Sequence, residues 1–265
     1  MYKTKIDWAD STWNPITGCR HGCEYCYAKG IANRFAGRFN QYIGENINKS
    51  DGRLNDLGTP LLYQRKNGDL TKAPYPFGFA PTLHRYRLNN PQTWTEPRTI
   101  FVGSMADIFG AWVPNGWIQE IFEACKAAPQ HKYLFLTKNP QRYLENLNSG
   151  KYAVPEGDNY WYGFTHTNGS LLGLPPGRKR FASIEPIFDY VVGSSLVWEY
   201  GIDWIIIGAQ SGNSKTKVIP KRKWIENIVG ECKLAGTPVF MKDSLAEVWG
   251  EPLIQEYPWE FKKND

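Results

Sequence analysis

Short apolar runs that end in small or polar residues recur along this chain, each followed by an amphipathic stretch. This alternation limits the possible fold more than any other feature. Strands are expected at 13–17, 99–103, 133–137, 160–165, 180–184, 204–208 and 239–242, and helices at 27–39, 116–128, 140–147 and 221–235. In the second helix Trp117, Ile118, Ile121 and Phe122 share one face and suit it to cover a sheet. The strand runs are continuously apolar rather than alternating, as expected of a parallel sheet buried on both faces. Six to seven such βα units predict an α/β chain folded as a partial or complete parallel (β/α) barrel, one domain over 1–265.

One stretch breaks the rhythm. Residues 40–98 are rich in Gly, Pro, Asn and Arg without clear apolar periodicity, and are expected to form an inserted, loop-rich arm or lid after the first helix. A short crossover, 168–178, leaves no room for an ordinary helix and is expected to be a rim loop. With 42% hydrophobic and 22% charged residues the chain can bury a substantial core, which excludes disorder. The run Trp204–Ile207 is far shorter than the roughly 20 residues of a membrane helix, and the polar start MYKTKIDWAD does not suit a signal peptide. A soluble, cytoplasmic protein is expected.

The chemistry concentrates in Gly18-Cys19-Arg20-His21-Gly22-Cys23-Glu24-Tyr25-Cys26, where three of the five cysteines lie within eight residues. In a chain read as cytoplasmic, clustered thiols point to metal rather than disulfides. Three thiolates on one loop can hold three irons of a cubane cluster and leave the fourth open to a small molecule. A structural zinc would need a fourth protein ligand, for which His21, His84, His131 and His166 are the candidates. The isolated Cys125 and Cys232 fall within amphipathic helices and read as small core residues.

The C-x3-C-x-aromatic-C pattern, with Tyr25 in the aromatic place, resembles the signature of radical S-adenosylmethionine (SAM) enzymes. DSTWNPITGC, IFVGSMADIFG, FLTKNPQRY, RFASIEPI, IIIGAQSG and PVFMKDSL occur in the order of the landmarks of a phage and bacterial radical-SAM-like family with a three-cysteine motif, mostly of unassigned substrate. The resemblance implies a radical-SAM-type barrel, a [4Fe–4S] cluster on Cys19, Cys23 and Cys26, and SAM as the second cofactor. It further implies an electron donor such as a flavodoxin or ferredoxin, and a bacterial or phage-infected host cytoplasm. The chain departs from that family in having Gly208-Ala209-Gln210-Ser211-Gly212 where the family favours Gly-Gly-Glu-Ser-Gly, and His166-Thr167 where it favours Val-Glu.

Reactive groups of parallel barrels sit where strands end. On the resemblance, Gly103, Ser104 and Asp107 after the second strand would approach the SAM amino group, Ser104 or Asp107 accepting from it or instead capping a helix. Lys138 after the third strand would pair with the SAM carboxylate. Glu185 would meet a ribose hydroxyl or a substrate group, Gln210 and Ser211 would border the adenine, and Tyr25 would lie beside the cluster. His166 is expected at the barrel mouth.

The positive balance belongs to the N-terminal part: residues 1–100 hold 14 Lys/Arg against 8 Asp/Glu. Between Lys49 and Arg98 these interleave with Tyr63, Tyr75, Phe77, Phe79, Tyr86 and Trp94, a composition that can track phosphates and stack bases. Modification or repair of a nucleobase in DNA or RNA is therefore the first expectation for substrate. A peptide- or small-molecule-modifying radical enzyme is the alternative within the same chemistry, and a non-catalytic metal-stabilised nucleic-acid-binding module is the alternative outside it.

Overall fold

A computed structural model describes residues 4, 6–36, 42–43, 54–166, 173–210 and 217–259. Along the chain, β1 (Ser11–Trp13) and β2 (Ile16–Thr17) lead to α1 (Tyr27–Phe35). Five short strands follow: β3 (Tyr42–Ile43), β4 (Asn55–Leu57), β5 (Leu62–Gln64), β6 (Leu70–Lys72) and β7 (Thr82–His84). The chain continues through β8 (Thr99–Val102), α2 (Asn115–Lys126), β9 (Lys132–Thr137), α3 (Gln141–Ser149), β10 (Tyr160–Thr165) and β11 (Lys179–Ile184). It closes with β12 (Trp204–Ile207), α4 (Arg222–Ala235), β13 (Val239–Met241) and the single turn α5 (Ala246–Trp249).

Seven strands form one parallel sheet in the order β1-β8-β9-β10-β11-β12-β13. Each strand of this sheet lies beside the one that precedes it in the sheet's chain order, the long crossover 14–98 from β1 to β8 included, and the sheet curls into a half-barrel with β1 and β13 as open edges. Successive side chains alternate between the faces. Ile100, Val102, Tyr133, Phe135, Tyr162, Ile205 and Ile207 pack outward with Ile118, Ile121 and Phe122 of α2 and Ile225 and Ile228 of α4. Phe101, Leu134, Trp161, Phe181, Trp204 and Phe240 pack inward as one apolar layer. Gly163 of β10 belongs to this inner face because a Cβ there would meet the Phe181 ring at 2.4 Å. Residues before β1 and after α5 meet beside the inner layer: Trp8 packs on Phe101 with ring centroids 4.7 Å apart and the planes tilted by 48°, and the Tyr257 hydroxyl donates to the Asp7 carbonyl at 3.3 Å.

Six of the seven expected strands agree within two residues, as do the last three helices. The first strand does not. The run 13–17 divides at Asn14-Pro15: β1 pairs with β8 in the large sheet, whereas β2 pairs antiparallel with β7. Pro15 has no N–H for a ladder, and the Asn14 side chain instead accepts from the Met105 N–H at 2.8 Å. The first helix has its helical turns at Tyr27–Phe35, and 37–39 of its expected span lie outside the described residues.

Segment 40–98 carries strands of its own. β4 and β2 flank β7, and β5 joins β3 to β6, with short turns of 3-10 helix at Arg85–Arg87 and Pro91–Thr93. Of the 168–178 loop, 168–172 lie outside the described residues. A π-helical turn at Ser195–Glu199 was not legible in the sequence. Among the described residues no helix is long and apolar enough to cross a membrane.

Candidate functional site

Continuing the inner-face alternation beyond the apolar layer places Gly103, Lys138, Thr165, Glu185 and Lys242 at the C-terminal ends of their strands. They line a cavity of about 530 Å³, well within the range of small-molecule sites. Its floor is apolar and its rim polar, because each strand finishes its buried run before it leaves the sheet.

Cys19, Cys23 and Cys26 form one wall of this cavity as half-buried free thiols. Their loop is fixed at its start. The Gly18 N–H donates to the Met105 carbonyl at 2.9 Å, and the Cys19 N–H donates to Phe79 at 3.3 Å. Gly18 has a φ of +88°, and a Cβ there would lie 2.4 Å from the Ala80 carbonyl, so only glycine fits between the thiol loop and the segment before β7. Cys26 then precedes α1, whose Ala28 and Ala32 pack on Met105.

Burial pushes the Cys19 thiol up to about 12, while the His21 N–H opposes the shift. A cation in the loop would reverse that balance, since metal binding deprotonates a coordinating thiol. Among the described residues no three His, Cys, Asp or Glu side chains surround a point that could hold a single metal ion. Cys125 and Cys232 are buried in the outer core.

None of the histidines completes a four-ligand set in this arrangement. The His21 Nε2 lies 2.7 Å from Asp107. His84 is held by Thr17 and Tyr86, and the His131 Nε2 by the Pro91 carbonyl. His166 does not face the mouth. Thr165 lines the cavity, so the next residue points to the opposite face, where the His166 ring lies edge-on to Phe164.

Asp107 is the structural hub of the rim. Its Oδ1 accepts from the Phe109 N–H at 3.0 Å and the Thr137 hydroxyl at 2.7 Å. Its Oδ2 accepts from the Lys138 N–H at 2.9 Å and meets His21. A carboxylate offers about four acceptor positions, so this one ties the thiol loop to β9 and keeps none for an incoming ammonium. The Ser104 hydroxyl is within 3.2 Å of the Asn14 amide, and the Ser104 carbonyl accepts from Tyr27 at 2.7 Å. Neither Ser104 nor Asp107 caps a regular helix. Gly103 has a φ of +80° and brings bare backbone to the cavity.

Lys138 and Tyr25 come together on the rim. The Lys138 Nζ donates to the Tyr25 hydroxyl at 3.0 Å, and the Tyr25 ring packs edge-on against Phe188 at 5.2 Å. On the opposite side Lys242 donates to the Glu185 Oε2 at 2.8 Å. Burial raises the Glu185 pKa, and the Lys242 ammonium opposes that rise. Gln210 also lines the cavity, its side-chain carbonyl accepting from the Val218 N–H at 3.2 Å. Ser211 and Thr167 lie outside the described residues.

Sequence reasoning missed Trp8 and Lys242. Lys242 was legible, since it follows Phe240 by two residues at the end of the last strand. Trp8 was not, because it precedes the first strand and reaches the cavity by packing on Phe101, Phe181 and Trp204. Three of the six basic residues of 54–98 have structural partners, Arg85 pairing with Asp56 and Glu120, Arg87 donating to the Asn14 and Pro74 carbonyls and Arg98 lying over Trp94, whereas Arg65, Lys66 and Lys72 are exposed. Phe79 reaches the cavity.

The fold and the site together define an open parallel α/β half-barrel with a three-thiol loop at the C-terminal mouth of its strands. The chain belongs to the family described as "Protein of unknown function (DUF5131)", whose model matches residues 3–255. No curated protein and no solved structure matches it.

Proposed function

We propose that this protein is a radical SAM enzyme that holds a [4Fe–4S] cluster on Cys19, Cys23 and Cys26, uses SAM, takes electrons from a flavodoxin or ferredoxin, and acts on a nucleobase in DNA or RNA. One observation carries the proposal: three thiols of a single pinned loop share a wall of the cavity into which the strand ends project. Three thiolates shared around one tetrahedral zinc would sit about 3.8 Å apart, from a Zn–S bond of about 2.3 Å. A cubane instead takes each thiolate on a separate iron. When bound, the cluster supplies the electron for reductive cleavage of SAM and so the abstraction of a hydrogen atom from the substrate.

The protein's own groups bind and orient. Lys138 gives one N–H to Tyr25 and keeps others for a carboxylate. Gly103 allows close approach of a polar ligand to the backbone. Gln210 adds a neutral hydrogen-bonding edge, and Glu185 accepts from a hydroxyl or a substrate N–H. Phe79, Phe101 and Leu136 exclude water from the space between.

Anaerobic reconstitution with iron and sulfide, followed by dithionite and SAM, is expected to yield 5′-deoxyadenosine, and Cys19→Ala, Cys23→Ala or Cys26→Ala to abolish it. A protein loaded with cluster that never cleaves SAM overturns the proposal. The substrate class is tested by binding to a single-stranded oligonucleotide at low salt; absence of binding there removes the nucleic-acid part.

A further inference from the structure

The first helix leaves a row of large apolar side chains uncovered. Tyr27, Ile31 and Phe35 are 50%, 38% and 53% exposed, whereas Ala28, Ala32 and Ala36, each one residue further on, are buried. Spacing by four sets the three large side chains on one stripe of α1. Its base is held firmly. The Tyr27 hydroxyl donates to the Ser104 carbonyl at 2.7 Å and fixes its ring, and Ala28 and Ala32 seat the helix on Met105. Tyr27 and Ile31 also line the cavity, and Phe35 carries the row beyond it. An occupant of the stripe is therefore led to the cavity mouth.

The surroundings indicate what that occupant is. Residues 18–36 hold Arg20, Lys29 and Arg34 against a single acid, Glu24. Arg34, three residues after Ile31, borders the stripe. Gly30 lies one turn before Arg34, and beyond its own helix backbone nothing comes within 4 Å of where a Cβ would sit, so the main chain beside the rings is open to close approach. Cations beside exposed rings suit a polyanion with flat apolar faces, which a nucleic-acid strand is. A duplex keeps those faces stacked inward. The stripe residues stand about 6 Å apart along the helix axis, against about 3.4 Å between nucleotides of a stacked strand. The row thus matches bases that have come apart.

We propose that the exposed face of α1 is a track for single-stranded nucleic acid. Tyr27 and Phe35 stack bases, Ile31 packs between them, Arg34 meets the phosphates, and the strand is delivered to the cavity. The proposal deepens the nucleobase reading given above and rests on it: it makes the substrate a base in a single strand rather than in a duplex.

The test is fluorescence anisotropy of labelled DNA and RNA oligonucleotides of about 12 nucleotides, single-stranded and annealed to their complements, at about 50 mM salt. At least one single strand is expected to bind at least about fivefold more tightly than its duplex. Phe35→Ala is expected to weaken that strand about five- to tenfold, the lower part of the range for one base stacked on an aromatic ring. Arg34→Gln is expected to lower the slope of log affinity against log salt by about 0.7, the share of one phosphate contact on a single strand. Leu234→Ala removes a bare side chain from α4 instead, and is expected to change neither quantity. A strand affinity that Phe35→Ala leaves within twofold of the parent, a loss that Leu234→Ala matches, or a duplex bound as tightly as the single strand overturns the track and leaves the nucleobase substrate in place. A dimer in sedimentation that Phe35→Ala dissolves also overturns it, by assigning the stripe to a second copy of this chain. Should Phe35→Ala fail to fold by circular dichroism, the preference of the parent for single strands and the salt slope of Arg34→Gln still decide. Binding of no oligonucleotide removes the track and the nucleic-acid substrate together, whereas strand binding that depends on Phe35 without 5′-deoxyadenosine formation removes the radical reading alone.

Discussion

Asp107→Asn is the substitution whose effect follows most directly from the coordinates. The buried carboxylate accepts from two backbone N–H groups, those of Phe109 and Lys138, from the Thr137 hydroxyl, and meets His21. An amide presents one oxygen and one NH₂. Whichever way it is turned, one of the two backbone N–H groups then faces another donor. An orphaned buried N–H costs about 1–3 kcal/mol, and the surviving bonds lose the strengthening that a charged acceptor gives. The expected loss is about 3 kcal/mol, a fall in Tm of roughly 6–12 °C for a domain near this size. Urea unfolding is the assay, with iron content matched between variants because bound metal stabilises by mass action. Thiol-loop order should fall with stability, since the same side chain holds His21; iron incorporated per chain reports it. A variant within about 0.5 kcal/mol of the parent that also binds iron normally would refute the assignment of Asp107 as the anchor of the rim.

Gly18→Ala forces a side chain into the Ala80 carbonyl at a φ of +88°, and is expected to cost about 1–3 kcal/mol and to lower iron incorporation; full occupancy in a chemical iron assay would count against the pinned loop. Gly163→Ala drives a methyl into the Phe181 ring, and about 1–3 kcal/mol of overpacking is expected by urea titration. Burial holds the His84 pKa down at about 2, with Arg87 acting in the same direction, and burial lowers those of His131 and His166. In each case the unfolded chain takes up a proton near pH 6.5 that the folded chain refuses, so stability is full above that pH and lost as pH falls through it. The His84 share approaches about 1.4 kcal/mol per pH unit. Urea midpoints at pH 7.5 and 5.5 for the parent and His84→Gln check it, and an unchanged pH slope in the variant would contradict the assignment.

Much of this architecture was legible because parallel strands buried on both faces announce themselves as continuous apolar runs. Trp204–Ile207 and Thr99–Val102 needed little more than their composition. Periodicity failed where elements are two or three residues long, as in Asn55–Leu57 and Leu70–Lys72, which offer no repeat to count. It also failed at 13–17, where a proline divides one apolar run between two sheets. His166 shows how little separates success from error: a shift of one residue along β10 exchanges the cavity for the outer face. The thiol loop, Tyr25, Lys138 and Glu185 could be read from strand ends and spacing. Trp8 could not, because it lies before the first strand and its place depends on packing against Phe101, Phe181 and Trp204 from three separate strands. Nor could the saturation of Asp107, which depends on His21 and Thr137 arriving from separate elements.

Metal and sulfide analysis of anaerobically purified protein, joined to electron paramagnetic resonance of the dithionite-reduced form with and without SAM, bears most directly on the thiol loop. The expected result is about four irons and four sulfides per chain, a reduced-cluster signal that changes when SAM is added, and loss of the iron in Cys23→Ala. One zinc per chain in tetrahedral coordination, or an iron signal indifferent to both SAM and the cysteine substitution, would contradict it.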